Sequence, residues 1–215
     1  MSAARPLAGV PAALPPAVFR RLWWALLALA LLPLARLVYL TATGDLGANP
    51  VAFVIRSLGT WTLVLLCATL AVTPLRVLTG WAWLLRLRRM LGLATFAYAT
   101  LHLLAFAGID HRFDWVVLWT EVVKRPYITA GMAAFVLLLP LALTSTNGMV
   151  RRLGGRAWQR LHRLVYLVAL LAILHYGWHK AGKNDYAEVS VYAMAIGLLL
   201  GFRLWRWLAP QRKGS

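Results

Sequence analysis

Apolar residues fall along this chain in six long, nearly unbroken stretches, unlike the alternation of half-buried strands or the one-sided spacing of soluble amphipathic helices. The stretches are 19–40, 51–72, 90–108, 127–146, 159–178 and 189–208. Each is close to the roughly 20 helical residues that cross a hydrocarbon core about 30 Å thick. Local chemistry marks several ends: Thr73-Pro74 is expected to close the second stretch, Arg125-Pro126 to open the fourth, and Asn147-Gly148 to close it. The connections are about 10–20 residues each, too short to bury a core of their own. The pattern predicts an all-α integral membrane protein, a six-transmembrane-helix bundle over residues 19–208. Residues 1–18, with Pro6, Pro11, Pro15 and Pro16 among small apolar residues and no cleavable signal pattern, read as a disordered N-terminal lead-in, and 209–215 as a tail.

Composition agrees with this reading. Of 215 residues, 61% are hydrophobic and 13% charged, whereas soluble domains average about 45–50% and about 25%. The 23 Lys+Arg against 6 Asp+Glu leave a net charge of +17. A basic nucleic-acid binder would be polar, so no nucleic-acid partner is expected. The basic residues instead orient the helices. If the N-terminus is cytoplasmic, that side holds Arg5, Arg20, Arg21, Arg76, Arg86, Arg88, Arg89, Arg151, Arg152, Arg156, Arg160, Arg163, Arg203, Arg206, Arg212 and Lys213, which is 16 of 23. The positive-inside rule then puts both termini in the cytoplasm, with the arginines also available to lipid phosphates.

Cysteine use narrows the chemistry. Cys67 is the single cysteine, which excludes an internal disulfide framework, a thiolate iron–sulfur cluster and covalent haem attachment through Cys-x-x-Cys-His. Any redox cofactor must be held by other ligands.

Histidines at membrane depth are the candidates, because ionisable groups there are costly and mark function. His102 lies in the third stretch and His175 in the fifth, both toward the outer end. Both helices run from inside to outside, so the two imidazoles share a depth. Such a pair meets the requirement of a bis-histidine haem iron, which has no open axial position and suits electron transfer; the alternative for each alone is a hydrogen bond to a neighbouring helix. His162 precedes His175 by about 20 Å along a helix and points about 140° away from it on an ideal one. The third stretch has no second histidine to match, its corresponding position being Arg88. His162 therefore ligates a haem with another partner, contacts a flavin, or is an interfacial polar group. His179 reads as interfacial, and His111, in Asp110-His111-Arg112, as solvent-facing. Arg36 and Arg56 lie within spans at the depth of His102 and His175; they either pair with haem propionates or snorkel to the outer interface.

At these residues the chain resembles a known family. Arg88-Arg89-Met90-Leu91-Gly92-Leu93, running on to Ala99-Thr100-Leu101-His102-Leu103, is similar to the third span of the MsrQ (formerly YedZ) family, the haem-binding membrane subunits of the bacterial periplasmic protein-methionine-sulfoxide reductase system. Arg125-Pro126-Tyr127-Ile128-Thr129, Leu143-Thr144-Ser145-Thr146, Trp158-Gln159-Arg160-Leu161-His162 and His175-Tyr176 match in order, and the resemblance covers about residues 20–208. It implies a six-helix b-type cytochrome of the ferric-reductase-like transmembrane class in the bacterial inner membrane. It further implies electron transfer across that membrane to a periplasmic molybdopterin methionine-sulfoxide reductase, which repairs oxidised methionine in envelope proteins.

The histidines carried over are His102, His162 and His175, as ligands of haem b. One haem is expected, a second is left open, and FMN enters by resemblance alone. No substrate-converting site of the chain's own is expected. No Gly-x-Gly-x-x-Gly in a βαβ setting is present, so the donor is a cytoplasmic flavoreductase or a quinol, docking at Arg86, Arg88, Arg89, Arg151, Arg152 and Arg156. Trp115, Trp119 and Trp178 form an aromatic belt or anchor the outer partner. Two other readings compete: a quinol-oxidising cytochrome b subunit of another periplasmic oxidoreductase, and a haem-free transporter or scaffold, whose usual discontinuous helices and half-sequence repeats are not evident in the sequence.

Overall fold

The computed structural model describes residues 14–182 and 184–209. Most of the expected lead-in and tail, at 1–13 and 210–215, lies outside the described residues. Among those described, all regular structure is helical: α1 (Pro16–Thr43), α2 (Pro50–Thr79), α3 (Arg88–Leu104), α4 (Trp115–Lys124), α5 (Pro126–Leu143), α6 (Asn147–Leu153), α7 (Gly155–His162), α8 (Leu164–Ala181) and α9 (Ala187–Leu208). A 3-10 turn, Ala82–Leu87, leads into α3, and a π-helical turn, Ala105–Asp110, extends it. With these extensions, six segments are long and apolar enough to cross a membrane, namely α1, α2, Ala82–Asp110, α5, Gly155–Ala181 and α9. Every stretch read from the sequence lies largely within one of them.

Packing pairs α2 with α3 and α5 with α8, and α3 against α5 joins the two pairs. The main core draws Leu66, Leu70, Ala99, Leu138, Val168 and Ala169 from these helices. A second cluster joins α1 to α2 and α3 through Leu37, Leu58 and Tyr98. Outside, Leu29, Leu32, Val38, Leu143 and Leu198 stand exposed, a surface suited to acyl chains rather than water. The buried polar residues among those described are Thr69, Thr95 and Thr144. Each hydroxyl donates to a carbonyl one turn back in its own helix, at Leu65, Leu91 and Pro140.

Two boundaries differ from the sequence reading. Thr73-Pro74 does not close the second span; α2 runs through Pro74 to Thr79 and ends on Gly80, whose φ of 76° makes the left-handed cap. A proline inside a helix leaves the carbonyl four residues back without its N–H donor, here that of Leu70. The guanidinium of Arg203, reaching from α9, donates to that carbonyl, so a remote residue supplies what the proline removed. Likewise Asn147-Gly148 does not close the fourth span. α5 ends at Leu143, and Thr146 caps a new short helix by accepting from the N–H of Met149 at 3.2 Å. Arg125-Pro126 opens α5 as expected, with the proline in the first turn.

Proline also shapes α1. Tyr98 of α3 inserts its hydroxyl into the helix ladder beside Pro33, donating to the carbonyl of Ala30 at 2.7 Å and accepting from the N–H of Leu34 at 3.1 Å. A side chain inserted at a proline is a recognised way to bend a helix without orphaning its backbone. Tyr98 lies one turn before His102, so the clasp ties α1 to the helix that carries the candidate ligand.

Candidate metal centre

His102 on α3 and His175 on α8 meet at the junction of the two helix pairs, with ring centroids 6.1 Å apart and planes at 80°. The depth match read from the sequence is thus a contact in space. A metal bound between two imidazoles at about 2.0–2.1 Å from each nitrogen puts the ring centres about 6 Å apart, so the observed separation leaves room for one metal ion between the rings. Among the described residues, no set of three or more His, Cys, Asp or Glu gathers to hold a bare ion. A metal held by this pair would take its remaining ligands from outside these side chains, as the macrocycle of a haem supplies them.

Each ring is fixed by its other nitrogen. His102 Nδ1 is 2.9 Å from the carbonyl oxygen of Ile55, and His175 Nδ1 is 2.6 Å from that of Tyr127. A carbonyl only accepts, so Nδ1 carries the proton in both rings and Nε2 is left with its lone pair. That is the tautomer a metal-bound imidazole requires, and an Nδ1–H held by a carbonyl raises ligand basicity.

His162 stands apart from this pair. Its Nε2 lies 3.0 Å from Thr144 Oγ1, and Trp158 stacks on its ring at 3.9 Å while donating from Nε1 to the Thr144 carbonyl at 2.9 Å. At Arg163 (φ −70°, ψ −18°) the chain tightens into i→i+3 hydrogen bonds without leaving the helical region, so α7 and α8 form one spanning segment with a local distortion directly after His162. His162 opens instead into a cavity of about 380 Å³ whose wall includes Arg86, Arg88, Arg89, Thr95, Ser145 and Trp158. This cavity gathers three of the arginines that the sequence reading assigned to the docking face, Arg86, Arg88 and Arg89; Arg151, Arg152 and Arg156 do not line it.

Arg36 and Arg56 are exposed on their helices. Arg56 follows Ile55, whose carbonyl holds His102, and its Nε donates to Ala52 at 3.1 Å; Arg36 neighbours Leu37 of the cluster containing Tyr98. Both therefore lie at the level of the His pair, on the bundle exterior. His179 rests against the Tyr127 ring at 5.4 Å. His111 departs from the solvent-facing expectation. Its side chain is 15% exposed, lies 4.6 Å from the Phe106 ring and is 3.5 Å from Asp110 Oδ2, because the π-helical turn folds the loop back over the helix end.

Sequence reasoning missed two residues at the centre, Gly59 and Gly131. A Cβ at Gly59 would lie 3.1 Å from His102 Cε1, and one at Gly131 would lie 2.7 Å from His175 Nδ1. The available signal was spacing: each glycine lies one helical turn after the carbonyl that holds the ring.

Fold and site together define a six-helix membrane protein with a paired-histidine centre between its helix pairs, and residues 58–173 match the family described as the ferric reductase like transmembrane component. Three similar curated proteins carry the name protein-methionine-sulfoxide reductase heme-binding subunit MsrQ. One from Ralstonia nicotianae is 59% identical over 206 residues, covering 96% of this chain and 95% of the relative. One from Herminiimonas arsenicoxydans is 57% identical over 179 residues, covering 83% and 82%. One from Bordetella pertussis is 54% identical over 185 residues, covering 86% and 88%. The chain belongs to the MsrQ family within the ferric-reductase-like membrane proteins, and is a multi-pass membrane protein. No solved structure matches it.

Proposed function

We propose that this chain is the haem-binding electron-transfer subunit of a methionine-sulfoxide reductase system in a bacterial inner membrane. The observation that carries the reading is the His102/His175 pair, two inward imidazoles 6.1 Å apart with both Nδ1 atoms committed to backbone carbonyls. The relatives' names say heme-binding subunit, and this pair has the donor set for a b-type haem. Haem, if bound there, would be held by His102 and His175 and would supply one-electron redox chemistry. The chain's own part is to bring the two rings together between the helix pairs and to hold each by its Nδ1, leaving both Nε2 lone pairs for the metal. Arg36 and Arg56, at the same level, are available to the carboxylates at the cofactor's edge.

With both termini cytoplasmic, as the distribution of basic residues supports, the His102/His175 centre lies toward the periplasm and the His162 cavity toward the cytoplasm. Arg86, Arg88 and Arg89 in that cavity suit an anionic group, a haem propionate or the phosphate of FMN, with His162 as a ligand or contact. Electrons then enter from a cytoplasmic flavoreductase or a quinol and leave to a periplasmic molybdopterin methionine-sulfoxide reductase. The test is a proteoliposome with reduced flavoreductase inside and that reductase outside. Methionine sulfoxide is expected to be consumed outside only when the wild-type chain is present. Equal turnover with His102→Ala protein would contradict the proposal.

A further inference from the structure

Each candidate ligand lies over a helix glycine in the same way in both halves of the bundle. His102 Nδ1 donates to Ile55, 47 residues earlier, and His175 Nδ1 to Tyr127, 48 residues earlier. In an α-helix the residue four positions on donates its N–H to the same carbonyl, and in both helices that residue is glycine, Gly59 in α2 and Gly131 in α5. Each carbonyl therefore accepts from the glycine N–H and from an imidazole, and the ring rests where a side chain would stand. Distances from a built Cβ measure how tight this is. At Gly131 it would meet His175 Nδ1 at 2.7 Å, Cε1 at 3.0 Å and Cγ at 3.2 Å; at Gly59 it would meet His102 Cε1 at 3.1 Å and Nδ1 at 3.2 Å. Glycine inside a helix is less stabilising than alanine, so two glycines under two rings call for a compensating use.

Resting on the proposed haem-binding reading, we propose that Gly59 and Gly131 are positioning residues. Their missing side chains set the height and plane of His102 and His175 and so fix the 80° angle between the ligand planes. A methyl at either site pushes the ring off its carbonyl and turns it. The effect is larger at 131, where ring and Cβ cannot coexist unmoved, than at 59, where a few tenths of an ångström of movement suffice.

The experiment compares Gly131→Ala, Gly59→Ala and the control Gly197→Ala in the full-length detergent-purified protein. Gly197 lies on α9, where an added Cβ meets nothing within 4 Å. Readouts are haem retained per protein, midpoint potential and the low-temperature EPR of the oxidised protein, whose largest g value depends on the angle between axial imidazole planes. Loss of a hydrogen bond that orients a metal ligand costs about 10- to 100-fold in metal affinity, and a loss in that range is expected for Gly131→Ala. Gly59→Ala is expected to keep haem while its g values and potential shift, and Gly197→Ala to match wild type. Unchanged g values and potential in both Gly59→Ala and Gly131→Ala overturn the proposal while leaving the haem reading intact. If Gly131→Ala fails to fold, Gly59→Ala alone decides on the same readouts. Wild-type protein without b-type absorption removes the haem reading itself, a separate outcome.

Discussion

Arg203 on α9 donates to the carbonyl of Leu70 on α2, the acceptor that Pro74 strips of its helical donor. Arg203 also donates to its own helix at Leu199, 2.7 Å away, and lies 5.6 Å from the centroid of the Tyr166 ring, so three helices converge on one guanidinium. In a bilayer no water substitutes for the missing donor.

Removing that donor has a definite cost. Arg203→Leu is expected to destabilise the protein by about 1–3 kcal/mol, the cost of an unsatisfied buried acceptor. Adding Pro74→Ala restores an N–H at position 74 and should recover much of the loss. Thermal unfolding of the single and double variants in detergent gives the coupling; additive losses would mean that Arg203 does not act through Leu70.

Tyr98 answers to a different ledger. Its hydroxyl bridges Ala30 and Leu34, which can bond to each other once the hydroxyl is gone. Tyr98→Phe should therefore cost little, about 0.5–1.5 kcal/mol, whereas Tyr98→Ala, opening a cavity at a side chain 3% exposed, should cost about 3–5 kcal/mol. Chemical unfolding of both variants separates the hydroxyl from the ring.

Arg36 and Arg56 carry positive charge at the level of the His pair. Replacing either with Gln is expected to lower the midpoint potential of the His102/His175 centre, since a nearby cation favours the reduced form, which carries less positive charge. Spectroelectrochemical titration measures this, and an unmoved potential would return both residues to the role of interface anchors.

His162 belongs to a separate site. His162→Ala should leave the His102/His175 absorption and EPR signature in place and weaken binding of the haem or FMN proposed for the arginine-lined cavity, measured as haem or flavin released per protein. Loss of the His102/His175 signature together with it would contradict the separation.

The six spans were legible because membrane crossing imposes length and composition on contiguous residues, and the His pair because polar groups at that depth are few. What the sequence concealed depends on residues far apart. Pro74 looks like a terminator until Arg203, more than a hundred positions later, supplies the absent donor. Asn147-Gly148 carries turn chemistry but opens α6, because Thr146 acts as cap. His162 could not be aimed by ideal-helix geometry alone, since the helix tightens locally at Arg163, directly after it. The matching of the two halves, with glycine, carbonyl and histidine at nearly equal spacing, is invisible to a search for repeated sequence because only three positions repeat. His111 went astray through the π-helical turn, which periodicity does not announce.

The central claim is that His102 and His175 together hold one haem iron, and a dithionite-reduced minus oxidised spectrum of purified protein tests it most directly. Wild type should show b-type bands, His102→Ala and His175→Ala should each lose the same component, and the double variant should lose no more than either single. A wild-type spectrum without b-type bands, or two single variants that lose different components, would contradict it.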